Sequence, residues 1–224
     1  MFPGGLGFDG YGYGEPGTYT HARGSIRLTE TSPAQSFEEP LSLGDVKDFL
    51  ALTATPDVTD DDTMLLTFIS AAREVFEIEQ GFDLMVKQWD MSLDYFYGLE
   101  IPLRDNLISV DLVQYKDSDG NLHPLVENTD YIVDKLKRPG VISQTWNSFW
   151  PIYTPWPSSS VLIRFTAGLK PSDAFWNNAG ARLLTGMKVL IKSWYIGDDE
   201  RGNSDGIPYA AQVLMRYGAV PRVR

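Results

Sequence analysis

The chain has 224 residues, a formal net charge of −11, 43% hydrophobic residues and no cysteine. That length predicts one or two domains with a buried core, and the composition excludes wholesale disorder. The missing cysteine excludes a disulfide scaffold, a thiol nucleophile and Cys-ligated zinc or iron–sulfur sites, while the acidic balance argues against a basic nucleic-acid-binding surface.

Residues 1–40 come first and differ from the rest. They hold 8 of the 20 glycines, interleaved with Phe2, Phe8, Tyr11, Tyr13 and Tyr19. No period of 2 or 3.6 runs through them. Glycine costs backbone entropy and offers no side chain to bury. The segment reads as an extended arm, with Phe2, Phe8, Tyr11 and Tyr13 as candidate anchors on a neighbouring subunit or partner.

Helical spacing starts at Leu41. Ser42 precedes Leu43, Val46, Phe49 and Leu50, and Asp45 completes a capping-box variant. Thr59–Asp62 opens a stronger helix, whose stripe is Leu65, Phe68, Ile69, Ala72, Val75 and Phe76. Its acidic start suits the positive end of the helix dipole, and Gly81 marks its stop. The period then becomes 2: Trp89, Met91, Leu93 and Tyr95 alternate with polar residues, as in a half-buried strand. Further strands are predicted at Ile108–Tyr115, Asn121–Leu125, Tyr131–Val133, Val141–Ser143 and Val161–Thr166. Asp117–Ser118–Asp119–Gly120 is turn chemistry. An aromatic, proline-rich loop at 144–157 carries Trp146, Trp150 and Trp156, which can cover the sheet, meet a subunit or stack a ligand. Helical spacing returns with Leu183, Leu184, Met187, Leu190, Ile191, Trp194 and Tyr195. A last short helix runs from Pro208 to Tyr217.

The expected fold class is therefore α+β. It is a four-helix bundle core with a small antiparallel β module inserted between the second and third helices, plus the N-terminal arm. The division is 1–40 for the arm, 41–84 with 168–218 for the bundle, 85–167 for the β module, and 219–224 for a basic tail.

Chemistry is sparse. The only histidines are His21 and His123, one in the arm and one beside a turn. The carboxylate pairs Asp60–Asp62, Asp90/Asp94 and Asp198–Glu200 are explained by a helix start, a wet strand face and a solvated loop. Asp117–Gly120 resembles the opening of a calcium loop but lacks the closing Glu and the flanking helices. No phosphate loop or nucleophile elbow occurs. No catalytic, cofactor or metal residues are assigned, and no enzyme activity is expected. No apolar run approaches the ~18 residues of a membrane span, and no signal peptide is visible, so no membrane partner is expected.

The order of motifs resembles the head–tail connector proteins (adaptor, or head-completion, proteins) of tailed bacteriophages. The resemblance is carried by Leu43–Val46–Lys47–Leu50 with Leu65–Leu66–Ile69–Ala71–Ala72–Arg73 and Gly81. It continues through Trp89–Asp94, Ile101–Leu103, Leu107–Val110, Tyr115–Gly120 and Asp130–Asp134. Pro139–Ile142, Val161–Gly168 and Leu190–Trp194–Tyr195 complete it. It spans about residues 41–217, and the arm and the 144–157 loop depart from it.

The resemblance implies a structural virion protein at the head–tail interface, assembled in the host cytoplasm. Such proteins form a ring with copies of themselves, usually twelve, below the portal protein. The ring extends the DNA channel and offers a platform to the stopper or tail. The C-terminal segment commonly reaches the portal, which would give that role to Arg216, Arg222 and Arg224. Double-stranded DNA would pass the lumen without sequence-specific binding, and twelve copies would gather twelve times the charge of one. The alternatives are a stopper or tail-completion protein of the neck, and a glycan- or peptide-binding module using Trp146, Trp150 and Trp156.

Overall fold

The computed structural model describes residues 19–21, 24–31, 39–52, 61–146, 148–170, 172–177, 179–197 and 207–218. Strands β1 (Tyr19–His21) and β2 (Gly24–Glu30) precede helices α1 (Leu43–Phe49) and α2 (Asp62–Gln80). Then come β3 (Lys87–Leu93), β4 (Glu100–Pro102), β5 (Leu107–Lys116), β6 (Leu122–Pro124), β7 (Tyr131–Asp134), β8 (Val141–Gln144) and β9 (Val161–Ala167). A 3₁₀ turn at Ala174–Asn177 leads into α3 (Ala179–Ile196) and α4 (Tyr209–Gly218).

The expected helical bundle with a small β module is overturned. Among the described residues, four helices accompany two antiparallel sheets, one six-stranded in the order β1-β2-β3-β9-β5-β6 and one three-stranded in the order β4-β8-β7. The sheets are not a decoration on the helices. They share a core of their own, in which Met91, Leu93, Val113, Ile163 and Phe165 of the large sheet meet Ile101, Tyr131 and Ile142 of the small one. Nor is the β region only an insertion, because β2 pairs with β3 from the N-terminal side, Ile26 opposite Leu93 and Glu30 opposite Trp89.

The helices form where the pattern is strongest. Ser42 caps α1 through a reciprocal capping box with Asp45, satisfying otherwise free N–H groups. α2 buries Leu65, Ile69, Ala72 and Phe76 at one-face spacing. Gly81 ends it at φ 70, with its N–H bonded to the Glu77 carbonyl, because a left-handed stop suits glycine. These side chains join Leu183, Met187, Leu190 and Ile191 of α3 and Ala211 and Met215 of α4 in a second core.

The α2–β3 and β9–α3 connections cross between the cores, and both meet the same end of the large sheet. Lys87 at the start of β3, Ala167 at the end of β9 and Leu107 at the start of β5 share one register row. Buried charges pin this joint. Glu77 of α2 receives the Arg73 guanidinium at 2.8 Å, the Lys87 ammonium at 2.7 Å and the Leu84 N–H at 2.9 Å. Asp83 receives two Arg104 nitrogens at 2.8 Å and the Trp89 indole N–H at 3.0 Å. The Arg104 guanidinium also lies 4.1 Å from the Trp89 ring centroid. Burial pushes the Asp83 carboxyl up, against the lowering fields of Arg104 and Lys87. A carboxyl raised in the fold contributes stability below its unfolded value, lost as pH rises through the folded one. The stability that protonation of Asp83 adds is therefore confined to acid pH, and its carboxylate serves the joint by fixing Arg104 and Trp89.

Candidate partner surface

At the opposite end of the large sheet from the helices lies the 144–157 loop. Its roots are buried and its tips are not. Trp150 is 8% exposed, stacks on Phe96 at 4.7 Å and 7°, and donates its indole N–H to the Gly98 carbonyl at 3.0 Å. The Tyr153 hydroxyl is 2.8 Å from Ser160 Oγ, which in turn donates to the Asp94 carbonyl at 2.6 Å. The Tyr153 ring leans on Tyr115 at 4.3 Å, and Tyr115 stacks on His123 at 4.8 Å. One continuous aromatic ladder therefore runs from the β5–β6 hairpin to the loop.

Backbone bonds tie the same pieces. The Ser118 N–H donates to the Thr154 carbonyl at 2.9 Å and the Trp156 N–H to the Lys116 carbonyl at 3.2 Å. The Lys116 ammonium lies 4.0 Å from the Trp156 ring centroid. From this fixed frame Trp146, Phe149 and Ile152 point outward, 96%, 79% and 99% exposed. Single exposed hydrophobics are ordinary, but three in seven residues on an anchored loop gather into one exposed apolar cluster. Full burial of such side chains is worth about 1.5–3 kcal/mol each. Holding the loop beforehand spares the entropy of ordering it on contact.

The hairpin beside the loop is set by Asp117. Its carboxylate accepts the Asp119 N–H at 3.0 Å, the Asn121 N–H at 2.9 Å and the His123 Nε2 at 2.7 Å. A carboxylate only accepts, so Nε2 carries the proton in that bond. The His123 bond, then the Asn121 bond, lower the Asp117 carboxyl to about 2. The sign follows: the turn's contribution is present above the unfolded value of 3.8 and fades as pH falls through about 2. Carbon-detected NMR titration of Asp117 should give a midpoint near that lower value, and an unshifted midpoint would count against the hydrogen-bonded turn.

The sequence-predicted residues separate sharply. Trp150 is a root of the loop inside the sheet core, not a tip. Trp146 is a tip, and Trp156 packs beside Lys116 at the margin. Arg216 lies on α4, but its side chain is outside the described residues. Phe2, Phe8, Tyr11, Tyr13, Arg222 and Arg224 also lie outside them. Phe149 and Ile152 complete the tips and were not singled out from sequence. The step of three from Trp146 to Phe149 and from Phe149 to Ile152 was the available signal. Among the described residues, no group of three or more His, Cys, Asp or Glu side chains is placed to hold a metal ion. No described helix is long and apolar enough to cross a membrane.

The architecture has solved counterparts. The fold matches that of chains in gene transfer agent particles. One, from the neck of an empty particle computed with C6 symmetry, is 20% identical with a TM-score of 0.64. Another, from the virion of a native gene transfer agent particle, is 20% identical with a TM-score of 0.66. Each match covers 88% of this chain and 97% of that chain. A third, from the neck of a native particle computed with C12 symmetry, is 18% identical with a TM-score of 0.53, over 85% of this chain and 98% of that one. At these identities the likeness establishes the fold. No family model and no curated protein matches the sequence.

Proposed function

We propose that this chain is a structural subunit of a virion neck, a head–tail adaptor that forms a ring under the portal. The observation that carries this reading is the likeness to nearly the full length of chains from particle necks computed with C6 and C12 symmetry. The anchored loop fits it, since the cores of protein interfaces are enriched in aromatic side chains such as Trp146 and Phe149. In this reading the ring extends the DNA channel and supplies the attachment platform for the stopper or tail. Its acidic charge keeps the duplex from adhering to the wall. Arg216, Arg222 and Arg224 contact the portal, arginine being suited to carboxylates and carbonyls in interfaces.

The test is a copy count on particles. Mass spectrometry should find this chain near equal copy number with the portal protein in tailed particles, and still present on DNA-filled heads that lack tails. The double variant Arg222→Glu, Arg224→Glu should lose head binding while remaining folded. Presence on isolated tails and absence from heads would replace the adaptor reading with a tail-completion role. Absence from particles would remove the neck reading altogether.

A further inference from the structure

The large sheet has two different edges, β1 and the β5–β6 hairpin, and a different segment of the chain adjoins each. At one edge is β1, where residues 1–18 enter the fold. At the other is the β5–β6 hairpin, to which the Trp146–Ile152 loop is tied through Thr154, Pro155 and Trp156. One register row joins the edges: Tyr19 pairs with Ile26, Ile26 with Leu93, Leu93 with Val161, Val161 with Tyr115, and Tyr115 with His123. The entry point of the arm and the frame of the loop therefore stand at the same height along the strands. Five strand spacings separate them, about 24 Å.

The two segments match in chemistry. The loop offers Trp146, Phe149 and Ile152 to solvent. The 1–18 segment carries Phe2, Leu6, Phe8, Tyr11 and Tyr13 between glycines, apolar side chains on a backbone that lets another surface approach closely. A contact between unlike patches on opposite edges is heterologous, and repetition of it by rotation closes a ring. Eighteen residues extend at most about 60 Å, enough to cross from one copy onto the next.

We propose that residues 1–18 of one copy dock on the Trp146–Ile152 loop of the adjoining copy, joining opposite edges of the six-stranded sheets head to tail. The proposal rests on self-association of this chain, which the ring reading requires, but not on its placement in a neck. Both sides of the contact belong to this chain, so it forms without portal or tail.

The experiment uses the purified full-length chain. Phe149→p-benzoylphenylalanine is introduced, isotope-labelled and unlabelled chains are mixed, and the sample is irradiated. Peptide mass spectrometry should find position 149 joined to residues 1–18, with light–heavy pairs present. Deletion of residues 1–18 and the triple variant W146S/F149S/I152S should each weaken association about tenfold or more, as truncating an aromatic hot spot does. Combined, they should cost no more than either alone, because they remove one shared contact. The exposed position of all three loop residues leaves the thermal midpoint of the variant as a folding control. Links only within one isotope would show the arm on its own loop and overturn the proposal. So would links to any other segment, or no chain-to-chain link. The copy count on particles is independent of these outcomes: a chain present at portal stoichiometry without this cross-link keeps the neck reading and loses the arm contact.

Discussion

Glu77→Ala is expected to lower the unfolding free energy by about 3–5 kcal/mol, the cost of breaking a buried ion pair by removing one partner. Glu77 is 7% exposed, and both its oxygens are used. Its loss leaves the Leu84 N–H without its acceptor and takes away the nearest counter-charge of Lys87. The remaining carboxylates near Lys87 are Glu30 at 3.5 Å and Asp83 at 4.0 Å. Arg73 suffers less, since Glu39 stays 3.0 Å away. Its own pKa is raised: burial lowers it, but the fields of Glu77 and Glu39 together raise it more.

The variant should also change the shape of unfolding. Glu77 belongs to the helical core and Lys87 begins a strand of the sheet core, so the pair couples two cores that otherwise have separate side chains. Urea unfolding of the parent should give coincident transitions by tryptophan fluorescence and far-ultraviolet circular dichroism. In Glu77→Ala the two should separate. Glu77→Gln retains an acceptor for Leu84 and should lose less. A destabilisation of Glu77→Ala below about 1 kcal/mol would place this site among ordinary exposed ion pairs and refute the coupling.

The joint shows where sequence reading stops. Arg73 and Glu77 are an i, i+4 pair on α2, which by itself looks like a solvated face. Only their positions beside Ala72 and Phe76 hinted at burial. Their partners Lys87, Asp83 and Arg104 come from other segments, and no local period announces such a meeting. α2 and β9 were legible for the opposite reason. Leu65, Ile69, Ala72 and Phe76 repeat at helical spacing, and Val161, Ile163, Phe165 and Ala167 alternate inward along a strand. β2 was hidden because it contributes only Ile26 and Leu28 to the core and follows a glycine-rich stretch. Its pairing with β3 spans the whole of α1 and α2. Strands as short as β1 and β4, three residues each, carry too few residues for any period, which is how the sheets came to be underestimated, whereas β6 was legible from the Asp117–Gly120 turn before it. The loop was half legible. Its aromatics were plain, but Trp150 is distinguished from Trp146 only by Phe96 and Gly98, some fifty positions earlier.

Gly168→Ala is expected to cost about 3–5 kcal/mol, combining a disfavoured backbone conformation with an overpacked contact. Gly168 sits just after β9, at φ +120, where side chains are rarely tolerated. An added Cβ would lie 2.0 Å from the Met85 carbonyl oxygen, 2.7 Å from its carbon and 3.0 Å from Val86 Cα. These are backbone atoms leading into β3, held by the pairing of Lys87 with Ala167. No rotamer change relieves the clash, so the two crossing segments must separate and take the Lys87–Glu77 contact with them. Gly168 also donates its N–H to the Asn106 carbonyl at 3.1 Å, fixing the start of β5 to the same point. Gly120 is the matched control: it has φ +88, but its nearest atoms to an added Cβ are 3.7 Å away. Gly120→Ala should therefore lose only the backbone part, about 1–2 kcal/mol. Denaturant unfolding of the two variants side by side separates strain from clash. Equal losses would mean that φ alone requires glycine at 168. A clearly larger loss at 168 would mean that close approach of the crossing segments is what ties helices to sheets.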